Sequence, residues 1–501
     1  QYIRAFLAVL AALVAGATVI DLYMDSKGNS AQKGGVLLRL VAGFSAARNT
    51  RFLFRVTDKT KPDQYSLRFL HGVRAISVGY IVLGHCYQAV SDTWGRFSSL
   101  FIGTDDSGSM IIAAAFNNVD TFFFLSGFLL SLAVLKQKKN GPLVFLIAVI
   151  RREIRTCVPL FFVLMCIYVL PRYVSGPDTG RFFEKYEKEI AENWWTLLLQ
   201  IRNWCGEMNE ETKLVHLWYL SADFQLFVIS LLILLVLKKW KMLRLGTFTL
   251  FSALGCGIAL WTATNPNVLP FMVYPAYTRA LQLTTLNSYY VRPFYHAVCF
   301  FSGCITFSFL EDFRNHKLSK MMRVTCWSVA VTCALCVTFM KIPWYRNETH
   351  SEAGKLVVAF FDRVLWSLFL SWLTLACATG RGGFVGRFLS SSFFAPLSRL
   401  SFCVYLIHYP FIMLMLHASR ERIHASHFGQ VTLFFGVFIW SCLLAYPAFL
   451  MCEAPTAALD KMVFEGLTGR GKHATKEHQP DAHIAVINIG GDQVHHSSAK
   501  L

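Results

Sequence analysis

The chain has 501 residues, of which 54% are hydrophobic, 15% aromatic and only 16% charged, and its mean hydropathy is positive. That balance excludes a soluble globular protein, because apolar windows long enough to cross a hydrocarbon core recur along almost the whole chain. A net charge of +18 would point a soluble protein toward nucleic acid. Here the basic residues crowd alternate loops between apolar stretches, so they mark orientation in a membrane and no nucleic-acid partner is expected.

In chain order the apolar stretches fall at about 3–23, 71–90, 110–135, 156–171, 216–237, 245–263, 294–310, 323–341, 355–379, 395–417 and 430–452. The expected fold is therefore all-α and polytopic, with about eleven transmembrane helices. The stretch after Arg155 is the shortest, and residues 143–155 read as an interfacial helix leading into it. Four parts follow. An N-terminal transmembrane helix (1–24) precedes a basic cytoplasmic linker (25–69), a ten-helix core (70–453) and a cytoplasmic, largely disordered tail (454–501). The tail is rich in Gly, His, Lys and Asp from Gly469 on and lacks sustained periodicity, so His495 and His496 read as solvated residues rather than metal ligands. The chain opens at Gln1 on an apolar run with no basic segment or small-residue cleavage site. That reads as a helix of a longer precursor rather than a signal peptide.

Loop charges set the expected topology. Residues 25–69 hold nine Lys and Arg, and further basic clusters stand at 136–155, 238–244, 314–323 and 381–387. By the positive-inside rule these are cytoplasmic, which places 91–109, 172–215, 264–293, 342–354 and 418–429 outside. The one glycosylation sequon, at Asn347, falls in a loop assigned outside. Most of the fourteen cysteines lie in apolar stretches, as packing residues do, with Cys205 in an outside loop. The pair Cys333 and Cys336 has no second pair or nearby His, so no metal site is expected.

Ionisable residues inside apolar stretches are costly and mark candidate sites. Arg74 and His85 are eleven residues apart, close to three helical turns, so they share a face roughly 16 Å apart along the axis. Imidazole titrates near neutral pH and suits His85 to a base's task, against the alternative of a packing histidine. Cys86, the rival nucleophile, points about 100° away. Asp120 needs a partner such as His85 or Arg74. Arg151, Arg152 and Arg155 form a dense guanidinium array suited to phosphate, or else a topology anchor. His216 and Asp223 share a face across two turns near Trp218, and an interfacial role fits His216 as well as a chemical one. Ser401 and His408 lie two turns apart with Tyr405 between them, and no acid stands near them in sequence to complete a triad. The role expected of His408 is structural or substrate-lining.

The same residues carry a resemblance. The run Leu-His-Gly-Val-Arg-Ala-Ile-Ser followed by Gly-His, around Arg74 and His85, resembles the first core helix of the type-3 membrane acyltransferases, in particular their animal "nose resistant to fluoxetine" branch. The resemblance implies that His85 is the active-site base. Arg151-Arg152-Glu153-Ile154-Arg155, with Pro159 one place late, resembles the Arg-Arg-x-x-Arg-x-x-Pro signature taken to contact the acyl donor. Asp120 to Phe128 resembles Asp-x-Phe-Phe-x-Leu-Ser-Gly-Phe, and Leu400 to His408 resembles Leu-Ser-x-x-x-Tyr-Leu-x-His. Bacterial relatives read Trp-Ser-Leu-x-x-Glu-Glu-Gln-Phe near Trp218, whereas this chain has Asp223 and Phe224 at the two acids, which puts a carboxylate-pair mechanism in doubt. The resemblance also implies a lumenal Cys-rich domain before Gln1.

The function expected is a membrane-bound O-acyltransferase moving an acyl group from cytosolic acyl-CoA to a lipid or other hydroxyl-bearing acceptor, in the endoplasmic reticulum or plasma membrane. The catalytic candidates are His85 and Asp120, and Arg74, Arg151, Arg152 and Arg155 would hold the donor. His216, Trp218, Asp223, Ser401, Tyr405 and His408 would line the substrate site. The rival expectation is a lipid or small-molecule transporter built on the same bundle without chemistry, and the sequence is compatible with an oligomer.

Overall fold

In a hydrocarbon layer backbone N–H and C=O groups find no partner outside their own segment, so an apolar stretch closes into a helix. The protein's structure, a computed structural model, describes residues 2–28, 35–56, 65–89, 94–95, 107–209, 211–272, 279–345, 351–421, 423–424 and 426–467. Among these residues eleven helices are long and apolar enough to cross a membrane, one for each stretch read from the sequence. The chain is an all-α polytopic membrane protein. The extended pairing present among the described residues is a two-residue parallel contact of Trp94–Gly95 with Ile423–His424. Asn347 and the tail beyond 467, with His495 and His496, lie outside the described residues.

The longer helices, in chain order, are α1 (Tyr2–Ser26), α2 (Val36–Phe44), α3 (Ala46–Phe54), α4 (Phe69–Gln88), α5 (Ala115–Lys136), α6 (Pro142–Val169), α7 (Thr179–Leu198) and α8 (Trp218–Val236). Then come α9 (Lys241–Ala263), α10 (Pro293–Asn315), α11 (Lys320–Phe339), α12 (Glu352–Ala378), α13 (Phe394–Ala418), α14 (His427–Ala448) and α15 (Ala454–Leu467). Ser45, Ser319, Ser351 and Ser426 start α3, α11, α12 and α14 by accepting the backbone N–H three residues on. Pro142 and Pro293 open α6 and α10, where no N–H is needed.

Two boundaries depart from the sequence reading, for one reason. Residues 143–155 are not a separate interfacial helix, since α6 runs unbroken through Pro159. Nor does the disordered tail begin at 454: after a π-helical turn at Phe449–Glu453 the chain continues as α15. Buried Asp460 of α15 takes both Arg151 and Arg155 of α6, at 2.9 and 2.7 Å. The charges that suggested an interface are thus neutralised inside the protein, and the same pairs pin α15 in place. The linker also folds in part. Its α2 and α3 pack beside α1, where buried Asp21 meets Arg48 at 2.5 Å.

At the centre α5 crosses α10 at very close range. Gly127 faces the Phe300 carbonyl and Gly303 the Phe124 carbonyl, and a Cβ at either position would overlap the facing backbone. The loops sort into the two groups that the charges suggested. At one end Lys238 reaches the Gln137 carbonyl, Lys241 pairs with Asp312, and Arg381 donates to the Phe313 carbonyl at 2.8 Å. At the other, Arg292 donates to the Asn203 carbonyl and Lys355 to the Asn265 carbonyl, both at 2.7 Å.

Candidate active site

Between α4, α5, α6, α8 and α13 the bundle leaves a cavity of about 220 Å³. Toward the basic loops it is bordered by Arg152, Arg155, Arg399 and Glu453, and toward the opposite end by Gln88, Met272 and Leu286. Ile81, Phe122, Leu125 and Leu129 give the wall between them its apolar character. Counting Arg74, four arginines and two carboxylates, Asp223 and Glu453, line the space. The formal excess of two positive charges favours an anionic occupant.

His85 lines this cavity, and its tautomer follows from its partners. The Val404 carbonyl can only accept, so with neutral rings His408 Nδ1 carries the hydrogen at 3.1 Å and His408 Nε2 is left as an acceptor. That nitrogen lies 2.7 Å from His85 Nδ1, which therefore donates, and the lone pair of His85 falls on Nε2. An imidazole held this way presents a lone pair on Nε2, with a second imidazole anchored on a main-chain carbonyl behind it. Fully buried His408 stands behind His85 and is not among the cavity-lining residues, so of its two expected roles the structural one fits and the substrate-lining one does not. Cys86, on the other face, packs in the apolar core.

Arg74 lines the cavity and makes no hydrogen bond or ion pair with the described residues. Arg152 does pair, meeting Asp223 on α8 and donating to Ser126 at 3.2 Å while its guanidinium lies 4.4 Å from the Phe227 ring. Arg155 lines the cavity beside it, but Arg151 does not. Its side chain is turned to Asp460 through three hydrogen bonds, so the donor-binding expectation for Arg151 is corrected.

Asp120 is also corrected. Its carboxylate is held away from the cavity by His296 Nδ1 and Arg363 Nε, each at 2.8 Å, and neither His85 nor Arg74 reaches it. Arg363 continues to Asp362, which Lys341 and Tyr295 also hold, at 2.8 and 3.0 Å. Four buried charges and an imidazole thus clamp α5, α10, the end of α11 and α12 together. Asp362, an acid within an apolar stretch, thus belongs to this cluster.

His216, Trp218 and Asp223 at the start of α8 line the cavity, as do Ser401 and Tyr405 of α13. His216 sits in a short turn, Val215–Leu217, that leads into α8. Two contacts fix that turn: Tyr405 donates to the His216 carbonyl, and Glu189 of α7 accepts from the backbone N–H groups of Lys213 and Leu214, at 2.7 and 3.2 Å. Burial pushes the Glu189 carboxyl above the usual carboxylate range, and Arg202 at 3.3 Å opposes the rise. The sequence reading missed Glu453, Tyr219 and Arg399 among the lining residues. Glu453, an acid closing an apolar stretch, was the available signal, and Arg399 stood inside a quoted motif.

The family model described as an acyltransferase domain matches residues 67–450, which supply all the lining residues of this cavity but Glu453, Thr456 and Ala457. The chain belongs to that family. It is 27% identical over 492 residues to Nose resistant to fluoxetine protein 6 of Caenorhabditis elegans, covering 90% of this chain and 58% of the relative. O-acetyltransferase OatA of Staphylococcus aureus is 22% identical over 360 residues, and peptidoglycan O-acetyltransferase OatA of Listeria monocytogenes 24% over 371, each covering 70% of this chain. The chain spans about half the length of these bacterial relatives, 51% and 50%. No solved structure matches it. Among the described residues no group of three or more His, Cys, Asp or Glu is placed to hold a metal ion.

Proposed function

We infer that the protein is a membrane-bound O-acyltransferase whose base is His85 and whose donor is an acyl-CoA held at the arginine end of the cavity. The observation that carries this reading is the chain from the Val404 carbonyl through His408 to His85, which leaves Nε2 as a lone-pair nitrogen on a cavity-lining ring. Coenzyme A carries several phosphate charges, which the unpaired Arg74 and the excess of arginines suit. A donor held by its phosphates at one end, with the thioester near His85, places the reacting groups together. His85 Nε2 takes the proton of the acceptor hydroxyl as its oxygen attacks the thioester carbonyl. When the intermediate collapses, the C–S bond breaks and the thiolate takes that proton back, giving an ester and free coenzyme A.

The wall between the arginines and the far end is mainly apolar, which favours a lipid-like hydroxyl acceptor over a sugar. Positive loops at the arginine end favour a cytosolic position for that end, with the membrane taken as one of the secretory pathway. The buried cluster around Asp120, Asp362 and Arg363 favours one rival, a transporter using intramembrane charge without chemistry. Purified protein incubated with acetyl-CoA and palmitoyl-CoA separates the two. Release of free coenzyme A above the detergent blank is the expected result, whereas flux in sealed vesicles without thioester loss would establish the transporter.

A further inference from the structure

Two side chains at the start of α8 pack their rings against aromatic neighbours, while their polar atoms face the cavity without a hydrogen bond. Neither ring nitrogen of His216 makes a hydrogen bond, although the side chain is only 3% exposed. The Leu406 carbonyl approaches the ring without reaching hydrogen-bonding geometry. That carbonyl is free because Pro410, four residues on within α13, has no N–H to offer it. The Tyr219 hydroxyl also has no partner among the described residues. Buried donors are usually satisfied, so the unpartnered ring of buried His216, beside the half-buried Tyr219 hydroxyl on the same cavity, points to a ligand that supplies the acceptor.

Their placement defines that ligand. His216 and Tyr219 are three residues apart and fall on one face. They stand at the N-terminus of a 19-residue helix, where the helix dipole favours negative charge. His216 and His85 flank the same Tyr409 ring, with centroids 5.2 and 5.1 Å from it, so the two imidazoles lie within about 10 Å of each other. One tetrahedral carbon with a hydrogen bond on each side covers such a span. The one main-chain acceptor beside the His216 ring, the Leu406 carbonyl, falls short of a full hydrogen bond, so an anion can select the form with N–H toward it.

We propose that His216 and Tyr219 form the oxyanion-binding pair of the acyl-transfer site, donating N–H and O–H to the acyl carbonyl oxygen as it becomes negative. This rests on the O-acyltransferase reading. When the hydroxyl oxygen bonds to the carbonyl carbon, the C=O pair moves onto oxygen and the two donors stabilise it. When C=O re-forms and the C–S bond breaks, they release it, and neither donor is consumed. Tyr405, through its bond to the His216 carbonyl, is a positioning residue for the pair.

The test measures acetyl-CoA hydrolysis, with water as acceptor, by full-length protein in detergent. Tyr219→Phe deletes one oxygen and keeps the ring, and it should lower kcat about 10- to 100-fold. His216→Phe should lower kcat about 100- to 1,000-fold, the usual cost of one oxyanion donor. In both, KM for acetyl-CoA should stay within about threefold and Tm should not fall, since no partner in the fold is stranded. Either His216→Asn or His216→Gln, which restore an N–H near one ring nitrogen or the other, should recover activity to within about tenfold of wild type. Unchanged kcat in Tyr219→Phe and His216→Phe, beside an active wild type, overturns this proposal alone. Absence of turnover in wild type with acetyl-CoA and palmitoyl-CoA overturns the acyltransferase reading and this proposal with it.

Discussion

Two of the arginines that line the site, Arg74 and Arg152, are bound to the fold in opposite ways, and their substitution should separate ligand binding from stability. Arg74 has no partner to strand, so Arg74→Gln should weaken acyl-CoA binding by roughly several-fold to a hundredfold, about 1–3 kcal/mol, with Tm unchanged in a thermal unfolding scan. Arg152→Gln leaves the buried Asp223 carboxylate unpaired and should cost about 3–5 kcal/mol of stability whatever its effect on binding. Equal loss of Tm in the two variants would contradict this division. His408→Phe tests positioning. It fills the space behind His85 but cannot accept from Nδ1, so kcat should fall about 10- to 100-fold with donor binding kept, measured by single-turnover hydrolysis beside equilibrium binding. Much of this was legible in the sequence: the eleven-residue spacing put Arg74 and His85 on one face, and the motif around Arg152 and Arg155 singled out two arginines that line the cavity. Asp120 was misassigned because its partners, His296 and Arg363, are 176 and 243 positions away and no local spacing reports them.

At the scale of elements, the α6–α15 contact shows how burial reassigns a charge cluster. Three arginines at the start of an apolar stretch look like a boundary when the acids that neutralise them lie 71 and about 305 residues on. Asp460 carries two of them, so Asp460→Asn should release α15, lower Tm and make the segment after Glu453 sensitive to limited proteolysis, a change readable by mass spectrometry. Resistance equal to wild type would mean that apolar packing alone holds α15. The eleven helices themselves were legible because a bilayer enforces length and apolarity on each. What the pattern could not show was the π-helical turn at Phe449–Glu453, which carries Glu453 to the cavity wall and continues into a helix the composition had assigned to the tail.

For the whole molecule, loop charge and packing agree on two ends but the compartment each faces is a separate, testable matter. By the positive-inside rule Asn347 should lie on the lumenal or extracellular side and the tail in the cytosol. Glycosidase treatment should therefore increase gel mobility, and an epitope at the C-terminus should be reached only after permeabilisation. Unchanged mobility together with tail labelling of intact cells would invert the orientation. The proposed activity is chemical: a cavity lined by arginines ends on an imidazole whose free lone pair suits a base for acyl transfer. The most direct test is the rate of coenzyme A release from acyl-CoA by purified wild-type protein and by His85→Ala and His85→Gln. The account predicts turnover by wild type and loss of most of it in both variants, with acyl-CoA binding retained, because an amide can hydrogen-bond but cannot take the proton. Near-normal turnover in His85→Ala would contradict it.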